Sequence, residues 1–203
     1  MKRRHLLYAV VAVLVVWQLT AWALRQPILP GPFSVVKAFW VELTRGELLA
    51  HFGASLWRVT ISTIIAILLA APAGLVLGQS RRLNELFAPV IYLLYPIPKV
   101  VLVPVVLLLF GIGNLPKVVL ITLVLFFQIL VLVRDQAASL RPELIQSVRS
   151  LGAGRRALFR YVFLPASLPA ILTALRQSVG TAVAVLYVTE LFATQKGLGY
   201  YIY

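Results

Sequence analysis

The sequence has no cysteine, only two histidines and only six acidic residues among 203. Without cysteine the chain can form neither disulfides nor thiolate metal sites. His5 and His51 stand far apart, with no metal-ligand spacing around them. The six carboxylates are scattered along the chain, whereas acid–base catalysis needs groups that converge on one point. The sequence therefore predicts no catalytic residue and no metal site.

Charged residues of either sign are scarce, and apolar residues are in excess. The chain is 61% hydrophobic and 12% charged, whereas a soluble domain is about half apolar and roughly a quarter charged. Water cannot solvate so much apolar surface, so we predict an all-α membrane protein in which the lipid bilayer is the main partner. The net charge of +13 could also indicate nucleic acid, and the positions of the cations decide between the two.

Five apolar runs are long enough to cross a membrane, since 19 helical residues reach roughly 28 Å at about 1.5 Å each. They cover residues 6–24, 56–77, 86–110, 116–133 and 168–192. The first follows a basic N-terminus but has bulky residues where a signal peptide needs small ones, which favours an uncleaved helix. The third carries four prolines, which a helix bundle tolerates as kinks. Residues 25–53 predict a short amphipathic helix on the membrane surface. We expect residues 1–203 to form one transmembrane domain.

Lysine and arginine set the orientation of such a protein, because cytoplasmic loops carry an excess of them. With the N-terminus inside, eleven of these cations fall on the inside and six on the outside. The N-terminus is therefore predicted to be cytoplasmic, and five spans would place the C-terminus outside. The positive charge is a topology signal that suits anionic headgroups, and we predict no nucleic-acid partner.

Residues 134–167 form the longest inside segment and have a regular pattern. Pro142 and Glu143 suit the first turn of a helix, and Gly152 stands where a helix end needs a left-handed residue. A second short helix follows and is expected to end at Leu164-Pro165. An apolar stripe of the first helix consists of Leu144, Val148 and Leu151. From the physics alone, either a partner protein or the lipid surface could cover this stripe.

The spacing within this segment is specific. Gln146-Ser147-Val148 is followed after three residues by Gly152, after nine more by Val162, and one residue later by Leu164-Pro165. It resembles the cytoplasmic loop shared by the permeases of ABC importers, which reads Glu-Ala-Ala, three residues, Gly, nine residues, Ile, one residue, Leu-Pro. Gln146 keeps the size of the glutamate and loses its charge, so docking would rely on shape. The positions carried over to the ATPase-coupling loop are Gln146, Ser147, Val148, Leu151, Gly152, Ala153, Leu164 and Pro165.

Other segments extend the resemblance over nearly the whole chain. Residues 95–98 (Tyr-Pro-Ile-Pro), 110–113 (Phe-Gly-Ile-Gly) and 197–200 (Gly-Leu-Gly-Tyr) are similar to the nitrate, sulfonate and taurine branch of these permeases. The resemblance implies a type I ABC importer (MetI-like) permease fold lacking the usual last helix. It also implies a bacterial inner-membrane location and a pathway for a small anionic solute. The implied partners are a separate ATPase, an extracytoplasmic substrate-binding protein and a second permease copy. No phosphate-binding loop occurs here, so ATP would be bound by the partner and no cofactor by this chain.

Three ionisable residues within the predicted spans are candidates for the pathway, since charges inside a membrane are costly. They are Lys99, Arg176 and Glu190. Lys99 could attract an anion or snorkel into a wet cleft. Arg176 and Glu190 are separated by roughly 21 Å along one helix, so they cannot pair with each other, and structural roles are favoured for both. The alternative function is a truncated permease or a non-transporting membrane anchor.

Overall fold

Helices account for nearly all of the chain in this computed structural model, which describes residues 3–192 and 194–202. The all-α prediction is confirmed. The helices are α1 (Arg3–Leu24), α2 (Pro32–Arg45), α3 (Leu48–Gln79), α4 (Arg81–Leu94), α5 (Val103–Phe110), α6 (Asn114–Ala138), α7 (Pro142–Ser150), α8 (Arg155–Leu158), α9 (Leu164–Leu191) and α10 (Leu198–Ile202). Within the described residues, four helical stretches are long and apolar enough to cross a membrane, and a bent pair could supply a fifth.

The chain divides into two compact units, Met1–Ala50 and His51–Tyr203. In the first unit, α1 leaves most of its apolar side chains exposed, as a helix facing lipid does. Gly31 and Pro32 start α2, because proline suits the first turn of a helix. Trp17 Nε1 donates a hydrogen bond of 3.1 Å to the Pro30 carbonyl, which fixes the connection between α1 and α2.

In the second unit, α6 is the central helix, with Ile121, Leu125 and Ile129 fully buried along it. One face of α3 packs on α6 through small residues at every fourth position: Ser62, Ala66, Ala70, Gly74 and Gly78. A Cβ on Gly78 would lie 2.5 Å from the Arg134 carbonyl oxygen. The two backbones therefore approach as closely as small-residue interfaces in membranes allow.

The third predicted span is two helices rather than one. Pro96 and Pro98 lack the N–H that would continue α4, and they restrict the residues before them. Residues Lys99–Leu102 form a single 3₁₀ turn, and α5 follows at once. The two halves are bent by 76°, so the prolines break the helix instead of kinking it.

The prediction of a separate second helix in the cytoplasmic segment is wrong. Helix α8 continues through a π turn (Phe159–Phe163) into α9, giving uninterrupted helix from Arg155 to Leu191. The Leu164 N–H bonds to the Phe159 carbonyl, five residues back. This wider turn lets the chain pass Pro165, which has no N–H to give, without ending the helix.

Candidate functional site

The turn between α7 and α8 is the first candidate site. Pro142 occupies the first turn of α7, and Glu143 lies beside it, as predicted. Ser147 Oγ donates to the Glu143 carbonyl at 2.8 Å. Gly152 has φ +84°, a left-handed conformation that favours glycine. A Cβ there would meet nothing within 4 Å, so the constraint on this position is conformational and not steric.

The expected apolar stripe of α7 is divided between two environments. Val148 is half-buried and packs on the core, together with Ile145 and Ala153. Leu144 and Leu151 stay exposed, with 46% and 85% of their surface accessible. The remaining positions of the predicted loop, Gln146, Ser147, Leu164 and Pro165, are exposed as well. The stripe is therefore partly structural, and its most exposed residue is Leu151.

Lys99 lies at the break between α4 and α5. Its ammonium donates to the carbonyls of Leu94 and Tyr95, at 2.8 and 2.5 Å. It also lies over the Phe127 ring, 4.7 Å from the centroid. The last carbonyls of a helix have no partner within it, so Lys99 satisfies the end of α4 that the prolines expose.

A cleft of about 420 Å³ opens beside Lys99. The 3₁₀ turn, α6 and α9 form its walls, and Gln128 and Thr181 supply further polar groups. An ammonium carries three N–H donors, and two of those of Lys99 go to the α4 carbonyls. The cleft thus offers one charged donor and two neutral polar side chains at the same place.

A buried polar cluster joins α3 to α9. The Glu190 carboxylate is fully buried and accepts from Ser55 Oγ at 2.8 Å and from Arg58 Nη1 at 2.5 Å. Arg58 also donates to Asn114 Oδ1 at 2.8 Å and to the Lys196 carbonyl at 2.7 Å. Charges inside a low-dielectric region are stable only when paired and hydrogen-bonded, and this pair meets both conditions.

The same cluster explains the Gly-Leu-Gly segment at residues 197–199. The Gly199 N–H donates to the Glu190 carboxylate at 2.8 Å, and the Leu198 N–H donates to Ser55 Oγ at 2.8 Å. Gly197 has φ +139°, and a Cβ there would collide with the Glu190 carboxyl group. Only glycine therefore lets this segment close over Glu190.

Three cations that the charge count assigned to the two sides of the membrane are buried in helices instead: Arg58, Lys117 and Arg134. Lys117 Nζ donates to the Gly113 carbonyl at 2.7 Å. Arg134 contacts Asp135 and the Tyr92 hydroxyl. Arg176, by contrast, is exposed on α9. Sequence reasoning missed the partners of Arg58 and Glu190, although the presence of both within long apolar helices was a readable signal.

Known proteins resemble this chain over most of its length. Residues 62–203 match the family described as "Binding-protein-dependent transport system inner membrane component". The chain is 34% identical over 173 residues to a probable ABC transporter permease protein of Brucella melitensis, covering 85% of this chain and 70% of that protein. It is 32% identical to the taurine transport system permease protein TauC of Escherichia coli, over 92% of this chain and 70% of TauC. It is 35% identical to the putative aliphatic sulfonates transport permease protein SsuC of the same organism, over 94% and 73%.

A solved structure supports the fold. A chain of the MetNI methionine ABC transporter in an inward-facing conformation superposes with a TM-score of 0.68 at 21% identity, covering 78% of this chain and 80% of that one. The predicted MetI-like fold is thereby confirmed. The chain belongs to the family of binding-protein-dependent transport system inner membrane components, the permease subunits of ABC transporters.

Proposed function

We propose that this permease carries a small organic solute that bears an anionic sulfonate group. The observation that carries the proposal is its similarity to permeases named for taurine and aliphatic sulfonates over more than nine-tenths of the chain. Another relative, 30% identical, is a formylaminopyrimidine transport permease of Halalkalibacterium halodurans. A neutral pyrimidine is therefore the natural competitor solute in any test.

The cleft beside Lys99 is the proposed contact point for the anion. Lys99 is 91% buried by the surrounding helices, with 9% of its surface exposed. Its third N–H donor can meet a sulfonate oxygen, with Gln128 and Thr181 beside it. A hydrogen bond from a charged donor is stronger than one from a neutral group, so this position favours an anion over a neutral solute.

The other two pathway candidates take different roles in this proposal. The Glu190 carboxylate accepts hydrogen bonds from Arg58, Ser55 and Gly199. We therefore propose that Glu190 holds α3, α9 and the Gly-Leu-Gly segment together. Arg176 is an exposed cation within a helix that can cross the membrane. Since an exposed charge in lipid is costly, we propose that a second permease copy covers it and that the transporter contains a homodimer.

Family membership implies an ATPase and a substrate-binding protein as partners. We propose that the α7–α8 turn docks on the ATPase through exposed Leu151 and Leu144, with Gln146 at its edge. As the permease component, this chain is not the catalytic subunit. ATP would be bound and hydrolysed on the partner, and the closure of two ATPases would move the turn.

The orientation is proposed from the remaining loop charges. Removing the buried Arg134, Arg58 and Lys117 from the count leaves ten Lys and Arg on the inside and four on the outside. The bias towards a cytoplasmic N-terminus becomes stronger. This orientation puts the α7–α8 turn on the ATPase side and the Glu190 cluster on the side of the binding protein.

Uptake in cells tests the proposal. The chain is expressed with its partner ATPase and binding protein in a strain that lacks sulfonate uptake, and the initial rate of entry of labelled taurine is measured. Lys99→Met should lower this rate about tenfold or more, because a charge-assisted hydrogen bond is lost. Lys99→Arg should keep most of it. Lys37→Met, which removes an exposed cation of α2, should leave it unchanged.

Two outcomes would contradict the proposal. One is uptake that does not depend on expression of this chain. The other is a preference for a neutral formylaminopyrimidine over taurine that Lys99→Met leaves unaltered. The thermal stability of each purified variant is measured alongside, so that a folding defect is recognised as such.

A further inference from the structure

A cavity of about 390 Å³ lies where the C-terminal end of α3 meets the α7–α8 turn. Its polar lining consists of Gln79, Ser80, Arg149 and Arg155. The volume falls within the range of small-ligand pockets. It is separate from the cleft beside Lys99, with which it shares no lining residue.

The lining of the cavity combines positive charge with an unused hydrogen-bond donor. Arg149 and Arg155 are exposed, and neither forms an ion pair within the part of the chain that the structure describes. The Gln79 amide nitrogen is buried and has no hydrogen-bond partner among the described residues. Ser80 caps the N-terminus of the 14-residue helix α4, whose dipole places partial positive charge at this end.

The position along the helices fits a lipid headgroup. Gln79 is the last residue of one candidate span, and Arg155 is the first residue of another. In the proposed orientation the cavity therefore lies where the cytoplasmic ends of two membrane-crossing helical stretches meet, on the side whose anionic headgroups attract basic groups. Basic pockets between membrane helices on the cytoplasmic side bind anionic headgroups, and guanidinium groups match phosphate oxygens in pairs.

An apolar groove continues from this cavity. The groove has a volume of about 530 Å³ and includes Ala73, Phe87 and Phe126 in its lining. Val76 and Leu83 line both the groove and the cavity. A ligand that fills both spaces must carry an anionic head and an apolar tail on the same molecule.

We propose that this cavity binds the phosphate of an anionic phospholipid and that the groove holds one of its acyl chains. Arg149 and Arg155 pair with the phosphate oxygens, and Gln79 supplies its unused N–H. Because Arg149 and Arg155 flank the turn at Gly152, the bound lipid would fix α7 against the ends of α3 and α9. The site is distinct from the solute cleft and does not depend on the nature of the solute.

Native mass spectrometry of the purified full chain tests this site. The protein in detergent is titrated with dioleoyl phosphatidylglycerol, dioleoyl phosphatidylcholine and inorganic phosphate. Phosphatidylglycerol should bind about tenfold more tightly than phosphatidylcholine. The double variant with Arg149→Gln and Arg155→Gln should bind phosphatidylglycerol about tenfold less tightly than the unaltered chain does. The double change of both arginines to lysine keeps the charge and should give an intermediate affinity.

The matched control removes two arginines from the same region that do not line the cavity, Arg141 and Arg156, by change to glutamine. This control should alter phosphatidylglycerol binding less than about twofold. Ala73→Trp fills the groove and should weaken the binding of the lipid but not the binding of inorganic phosphate. An equal loss in both double glutamine variants would overturn the site in favour of diffuse surface charge. Equal affinity for inorganic phosphate and the lipid would overturn the assignment to a phospholipid.

Discussion

Arg58 on α3 and Glu190 on α9 form a buried ion pair across 132 residues of sequence. Their side chains are 5% and 0% exposed, and the guanidinium nitrogen lies 2.5 Å from the carboxylate oxygen. Each partner also has neutral hydrogen bonds, so neither charge relies on the other alone. The pair ties the two helices and the Gly-Leu-Gly segment to one point.

Loss of one partner of this pair should be strongly destabilising. Glu190→Gln leaves the Arg58 charge buried without compensation, and removal of one partner of a buried pair costs about 3–5 kcal/mol. Thermal unfolding of the purified variant in detergent measures the effect. The segment at residues 197–199 should also become more accessible to protease, because the Gly199 N–H loses its carboxylate partner.

Glu85→Gln is the matched control for this change. Glu85 pairs with Arg81 at 2.8 Å, but the side chains are 60% and 91% exposed. Exposed pairs contribute about 0–1 kcal/mol, so the unfolding temperature should hardly move. Similar losses in the two variants would show that burial does not set the strength of the Arg58–Glu190 pair.

Local sequence patterns predicted most of the helices, but they could not predict which helices contact each other. Four of the five apolar runs, with Pro142 and Gly152, predicted helices and turns where the structure has them, whereas the run at residues 86–110 is broken into two helices. The pairing of Arg58 with Glu190 depends on how α3 and α9 are rotated, which no local pattern encodes. Pro165 was misleading, because a π turn can carry a helix past a proline.

The roles of single residues show the same division. Lys99 stood out in the sequence as a charge in an apolar run, but its contacts with the Leu94 and Tyr95 carbonyls required the bend between α4 and α5. Small residues at every fourth position of α3 could have been read directly, since that spacing is typical of close helix packing in membranes. The partner of that face, α6, could not.

The close approach of α3 and α6 makes Gly78 intolerant of even one added carbon. Gly78→Ala would place a Cβ 2.6 Å from the Ala137 Cβ and 2.5 Å from the Arg134 carbonyl oxygen. Backbone atoms cannot swing aside as a side chain can, so we expect a loss of about 1–3 kcal/mol. Thermal unfolding in detergent again provides the measurement.

The same substitution at Gly180 is the control. Gly180 lies within α9, and a Cβ there meets nothing within 4 Å. Because alanine is the better helix former, Gly180→Ala should be neutral or stabilising by up to about 1 kcal/mol. If Gly78→Ala proved as harmless as Gly180→Ala, the close packing of α3 on α6 would be refuted.

The turn at Gly152 should matter for coupling to the ATPase far more than for folding. Gly152→Val forces a β-branched residue into the left-handed region, at a cost of about 1–3 kcal/mol. Because no neighbour lies near the new Cβ, the strain is relieved by local rearrangement of the turn. Leu151, 85% exposed, would then be displaced from the proposed docking surface. We expect reduced co-purification with the ATPase and lower uptake, with little change in unfolding temperature.

Gly154→Val separates conformation from bulk at this turn. Gly154 has φ −76° and ψ 177°, which valine adopts without strain, and its Cβ would also meet open space. This variant should co-purify with the ATPase as well as the unaltered chain does. Equal retention of the ATPase by the Gly152 and Gly154 variants would mean that the left-handed turn does not set the docking geometry, and the ATPase contact would have to be sought elsewhere on the cytoplasmic surface.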